Sequence, residues 1–151
     1  MDLSRWLHVL GVTVWVGGMF FAYVTLRPAA VLVLEPPQRL ELWCQTLARF
    51  FRWVWVAVAV ILATGLHMTG RLGGVHAPLY ALTMLVVGLV MMLVFVHVFF
   101  VPYGRLKRAV AGRDWKAGGA ALGQIRRLVG VNLALGLLVI TIATAGRSLL
   151  P

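Results

Sequence analysis

Four stretches of the chain run almost without charge: Trp6–Leu26, Trp53–Thr69, Leu79–Val101 and Leu128–Ala145. Each is long enough to cross a hydrocarbon layer of ~30 Å at ~1.5 Å per residue. None shows the ~10-residue alternation of polarity that marks a membrane β-strand. The pattern predicts an all-α fold, a polytopic membrane four-helix bundle built as one domain over residues 1–151, with spans at about 5–27, 51–70, 78–101 and 127–146. The first stretch is too long for a signal-peptide core and no small-x-small cleavage site follows it, so it is expected to stay as a helix.

The polar segments between the spans are also patterned. Glu35-Pro36-Pro37 interrupts the chain, and prolines suit the first turn of a new helix. From Gln38 onward no glycine occurs until Gly65, which predicts that the second helix begins well outside the membrane. Asp114 is placed to cap the fourth helix, although Gly118, Gly119 and Gly123 weaken that stretch. The expected shape is two helical hairpins whose second and fourth helices project beyond the bilayer. Trp53 and Trp55 would mark one interface and Trp6 the other.

Composition sharpens this picture. A mean hydropathy of +0.94 with 12% charged residues excludes an ordinary soluble domain. Of the 14 Lys and Arg residues, Arg5, Arg71 and Arg147 alone lie near the predicted outer ends, and the others fill the two long loops. That asymmetry predicts cytoplasmic long loops and periplasmic termini. The net charge of +10 therefore reports topology and attraction to anionic lipid headgroups, not nucleic-acid binding. Asp2, Glu35, Glu41 and Asp114 all fall at helix ends or in loops, which argues against a transporter driven by protons on buried carboxylates. Cys44 is alone, so it forms neither an intrachain disulfide nor a cysteine cluster.

The candidate chemistry lies in four histidines. His8, His67 and His76 fall at one depth, near the predicted outer face, with Met68 beside them. His97 lies about 18 residues, or ~27 Å, from the outer end of its helix, level with Asn132. Imidazole and thioether ligands suit Cu(I), which would use His8, His67, His76 and Met68. Paired histidines flanked by small residues suit haem b, which would use His8 and His67 as axial ligands beside Gly11 and Trp15. Residue types and depth leave both cofactors open, with plain helix packing as the third account. His97 and Asn132 form a second polar site, either hydrogen-bonded to each other or serving as a ligand or proton-relay position. The scattered Met19, Met84, Met91 and Met92 read as core filling. No catalytic residue or hydrolase or nucleotide-binding motif is evident. The reading leans away from an enzyme, the enzymatic alternative being a haem-dependent membrane oxidoreductase.

Several longer motifs resemble one known family. His8-Val9-Leu10-Gly11, Trp15-Val16-Gly17-Gly18-Met19 and Leu26-Arg27-Pro28-Ala29-Ala30 resemble the opening of bacterial CopD-family (copper resistance protein D-like) membrane proteins. Glu35-Pro36-Pro37-Gln38-Arg39-Leu40, Ala48-Arg49-Phe50-Phe51, His97-Val98-Phe99-Phe100-Val101-Pro102-Tyr103 and Gln124-Ile125-Arg126-Arg127-Leu128-Val129-Gly130 extend the likeness along the chain. The resemblance implies copper handling at the inner membrane, with a periplasmic copper-binding partner. A more distant similarity to HemJ-type protoporphyrinogen oxidases implies haem b and electron transfer coupled to quinone. His8 is the position carried over in both cases. The chain lacks a dense Met/His capture segment, and a homodimer that pairs two His97 residues is left open.

Overall fold

The computed structural model describes residues 2–149, with side chains through Ala145. Within it the chain is helical nearly throughout: α1 (Leu3–Phe20), a π-helical turn (Phe21–Leu26), α2 (Arg27–Val33), α3 (Pro36–Arg71), α4 (Leu79–Phe100), α5 (Pro102–Ala111) and α6 (Trp115–Leu149). Four of the resulting rods are long and apolar enough to cross a membrane: Leu3–Val33, Pro36–Arg71, Leu79–Ala111 and Trp115–Ala145.

Local chemistry explains where these rods start and stop. Asp2 caps α1 by accepting from the Ser4 N–H at 3.3 Å. At α3, the Glu35 side chain accepts from the backbone of the first turn and Gln38 Oε1 accepts from the Glu35 N–H at 3.2 Å. This reciprocal box, with proline in the first helical turn, starts the longest helix. Asp114 Oδ1 accepts from the Ala117 N–H at 2.9 Å and caps the start of α6. The turn after α3 depends on Gly73 and Gly74, whose φ angles of 107° and 62° are costly for any other residue.

Pro28 does not end the first rod. A proline inside an α-helix lacks an N–H and crowds the carbonyl four residues earlier. The π turn relieves this crowding just before Pro28, with the Arg27 N–H reaching back five residues to the Ala22 carbonyl. Helix geometry then continues to Val33.

The bundle core is an aromatic and aliphatic column. Phe51 packs edge-on against Tyr103 at 5.0 Å and Phe95 at 5.5 Å, and Trp15 meets Phe95 at 6.1 Å. Val54 and Leu106 are fully buried. Outside this column Leu93, Val86, Phe100 and Trp53 are all at least 60% exposed, an apolar surface suited to lipid. Glycines set the closest helix approaches. Gly11 lies under Ile61 and the Ala57 carbonyl of α3, and Gly136 of α6 lies under Val16 and Met91. At one end of the bundle Arg71 pairs with Asp2 at 2.9 Å, bringing the end of α3 level with the start of α1.

Candidate functional site

That end of the bundle carries the best-defined polar contact between helices. His8, half-buried on α1, places Nδ1 2.9 Å from the Thr64 hydroxyl of α3. Thr64 is buried, and its hydroxyl donates to the Val60 carbonyl one turn back at 2.6 Å. Its single proton is therefore committed, so its oxygen accepts from His8 Nδ1–H. The network assigns the tautomer and leaves Nε2 with a free lone pair. Gly65 faces the ring, and a Cβ there would make ordinary contact with His8 Cε1 at 3.4 Å.

Met68 follows Thr64 by one helical turn on the same stripe of α3 and is half-buried. His67 and His76 are at this end too, but both are exposed, one on α3 and the other in the short 3-10 turn that precedes α4. Among the described residues, no three His, Cys, Asp or Glu side chains form a group that could hold a metal ion. His8, His67 and His76 thus share a depth without forming a ready-made three-imidazole centre.

Gly11 and Trp15 serve packing. An added Cβ at Gly11 would meet Ile61 Cγ1 at 2.9 Å and the Ala57 carbonyl at 3.4 Å, and Trp15 is 3% exposed. At Gly11, α1 and α3 are in direct contact, leaving no slot for a flat macrocycle there. Gly11 and Trp15 therefore do not fit as the walls of a haem pocket between His8 and His67.

His97 and Asn132 are not joined. On α4 the buried residues are Ala81, Met91, Met92, Phe95 and Val98, and His97 is exposed on the surface. Asn132 is 3% exposed, and its Nδ2 donates to the Met91 carbonyl at 3.3 Å. Its Oδ1 has no partner, and Asn132 lines a cavity of about 20 Å³ together with Trp15, Met19 and Phe95. One long hydrogen bond is worth little here, because interhelical bonds in membranes average ~0.6 kcal/mol. An unpaired buried acceptor costs about 1–3 kcal/mol. Asn132→Leu should therefore unfold no earlier than the parent in detergent, followed by circular dichroism on heating. A midpoint lowered by more than about 4 °C would show that Asn132 stabilises the bundle.

Thr64 is the residue that reading the sequence for ligands passed over. The available signal was a hydroxyl in the second span at the depth of His8, one of only two there with Thr69.

A family model described as Copper resistance protein D (CopD) matches residues 44–145. The match takes in Thr64, His67, Met68, His76, His97 and Asn132. No curated protein and no solved structure matches the chain.

Proposed function

This chain belongs to the copper resistance protein D family, and from that premise we propose that it handles copper in the membrane through His8. The observation that supports the reading is the bond from His8 Nδ1–H to Thr64, which leaves Nε2 as the nitrogen available to a ligand. Outer partners of this kind fix the orientation of a ligating imidazole and raise its basicity. Met68 supplies a thioether on the Thr64 stripe, and an imidazole with a thioether suits Cu(I). His67 and His76, exposed at the same end, are entry ligands that meet the ion before His8 does.

The side of the membrane follows from charge. With most basic residues at the opposite end, the His8 end faces the periplasm of a bacterial inner membrane, where a soluble copper-binding protein would exchange the ion. A cysteine placed at Gly74 should then react with a membrane-impermeant thiol reagent in intact spheroplasts, and one at Gly112 should not.

The test of function is an anaerobic competition titration of purified protein against a chromogenic Cu(I) chelator. Stoichiometric retention of Cu(I) by a colourless protein is expected. Loss of all copper to a chelator of micromolar affinity, or stoichiometric iron with reduced-minus-oxidised haem bands, would overturn the reading.

A further inference from the structure

At the other end of the molecule, α5 and the start of α6 leave a groove of about 530 Å³, well inside the ~300–1,000 Å³ span of small-molecule sites. Arg105 and Arg108 form one wall, spaced three residues apart and therefore on one face of α5. The facing wall on α6 is Ala117, Ala120, Ala121 and Gln124. Three alanines at helical spacing do not fill the space opposite two long guanidinium side chains, and this is why the groove stays open.

Charge and depth narrow the occupant. Among the described residues, the ion pair formed joins Arg71 to Asp2, so neither groove arginine is neutralised by a carboxylate within 4 Å. Asp114 lies at the mouth farther from the apolar spans, with Oδ1 engaged by the Ala117 N–H. The opposite mouth, between Arg105 and Gln124, is four residues from Val101 and from Leu128, where the apolar stretches begin. Four helical residues span ~6 Å, and the headgroup layer on each side of a bilayer is ~5–8 Å deep. The two guanidiniums thus sit at and just beyond the level of lipid phosphates, which arginine binds through paired N–H donors.

We propose that the groove between α5 and α6 is a binding site for the phosphate-bearing headgroup of an anionic phospholipid, held by Arg105 and Arg108 with Gln124 donating to it. The glycerol portion lies along the alanine wall, and the acyl chains leave through the Arg105–Gln124 mouth toward the bilayer. This site is independent of the copper reading.

The experiment is native mass spectrometry of the full chain in detergent, with equal phosphatidylglycerol and phosphatidylcholine added. Retention of phosphatidylglycerol over phosphatidylcholine is expected, weakened at least about tenfold in the double variant Arg105→Ala/Arg108→Ala. The charge-matched control Lys116→Ala/Arg126→Ala, outside the groove lining, should retain the lipid. Ala120→Trp fills the groove without changing charge and should lose the lipid while keeping the parent's elution volume. Equal loss in the control would reduce the effect to general surface charge and overturn the site. Full retention by Ala120→Trp would overturn it as well. Displacement of the lipid by millimolar inorganic phosphate, with phosphate itself bound in the parent and lost in the double variant, would reassign the groove to a free anion.

Discussion

Replacing His8 by alanine is expected to abolish stoichiometric Cu(I) retention, and replacing Thr64 by valine to weaken it by about ten- to a hundredfold. The first effect removes the only half-buried imidazole at that end of the bundle. The second is the sharper test, because valine keeps the shape of threonine and deletes only the oxygen that accepts from Nδ1. Without that acceptor the ring loses its side-chain partner, and the preference for a proton on Nδ1 and an open Nε2 is weakened. Thr64→Ser keeps the hydroxyl and should restore most of the affinity. The readout is the same chelator competition, run beside thermal unfolding so that folding losses are recognised. Parent-like binding by His8→Ala would place the copper ligands elsewhere. Parent-like binding by Thr64→Val would make the hydroxyl a packing partner alone.

The second large effect concerns assembly. Gly136→Leu and Gly11→Leu are expected to prevent formation of the native bundle, whereas Gly88→Leu should leave it intact. At Gly136 even a Cβ would approach Val16 Cγ2 to 2.9 Å and Met91 Cε to 3.2 Å. Val16 is β-branched and stiff, so the strain cannot be relieved by a simple rotamer change. Overpacking by a few methylenes costs about 1–3 kcal/mol, and leucine adds a full side chain at a helix crossing. At Gly11 the obstacle includes the backbone carbonyl of Ala57, 3.4 Å from an added Cβ, which cannot swing aside. Gly88 has nothing within 4 Å, and a residue with better helix propensity there should be neutral or mildly stabilising. Gly18 is tighter still: a Cβ there would overlap the Phe50 ring, so Gly18→Ala should displace that ring and cost at least as much as Gly136→Ala. Elution volume and thermal unfolding in detergent separate these cases. Native elution and melting of Gly136→Leu would show that the α1–α6 crossing is looser than its geometry implies.

The contrast between fold and site shows what a sequence of this kind reveals. Four apolar stretches and the Glu35-Pro36-Pro37-Gln38 start signal announce a helical membrane bundle, because length, hydropathy and capping chemistry act locally. The wide turn before Pro28 was hidden, since a proline at that place reads equally well as a helix end. Position along each helix was legible from residue counting, and His8, His67 and His76 lie at one end of the bundle. Rotation about each helix axis was not. α4 is apolar on all sides, so nothing in its pattern told which face packs inward, and His97 lies outside while Met91, Phe95 and Val98 lie within. The Asn132 side chain accordingly meets the Met91 carbonyl and not His97.

The bond from His8 to Thr64 also divides inheritance. Its acceptor lies within residues 44–145, the stretch by which kinship is recognised, and its donor lies upstream on the first helix. A descendant altered only at position 8 would keep every kinship mark of residues 44–145 and lose the imidazole on which the proposed chemistry depends. Of the proposed site, only the His8 imidazole lies outside the stretch that marks the family, so family membership can persist after that imidazole has gone.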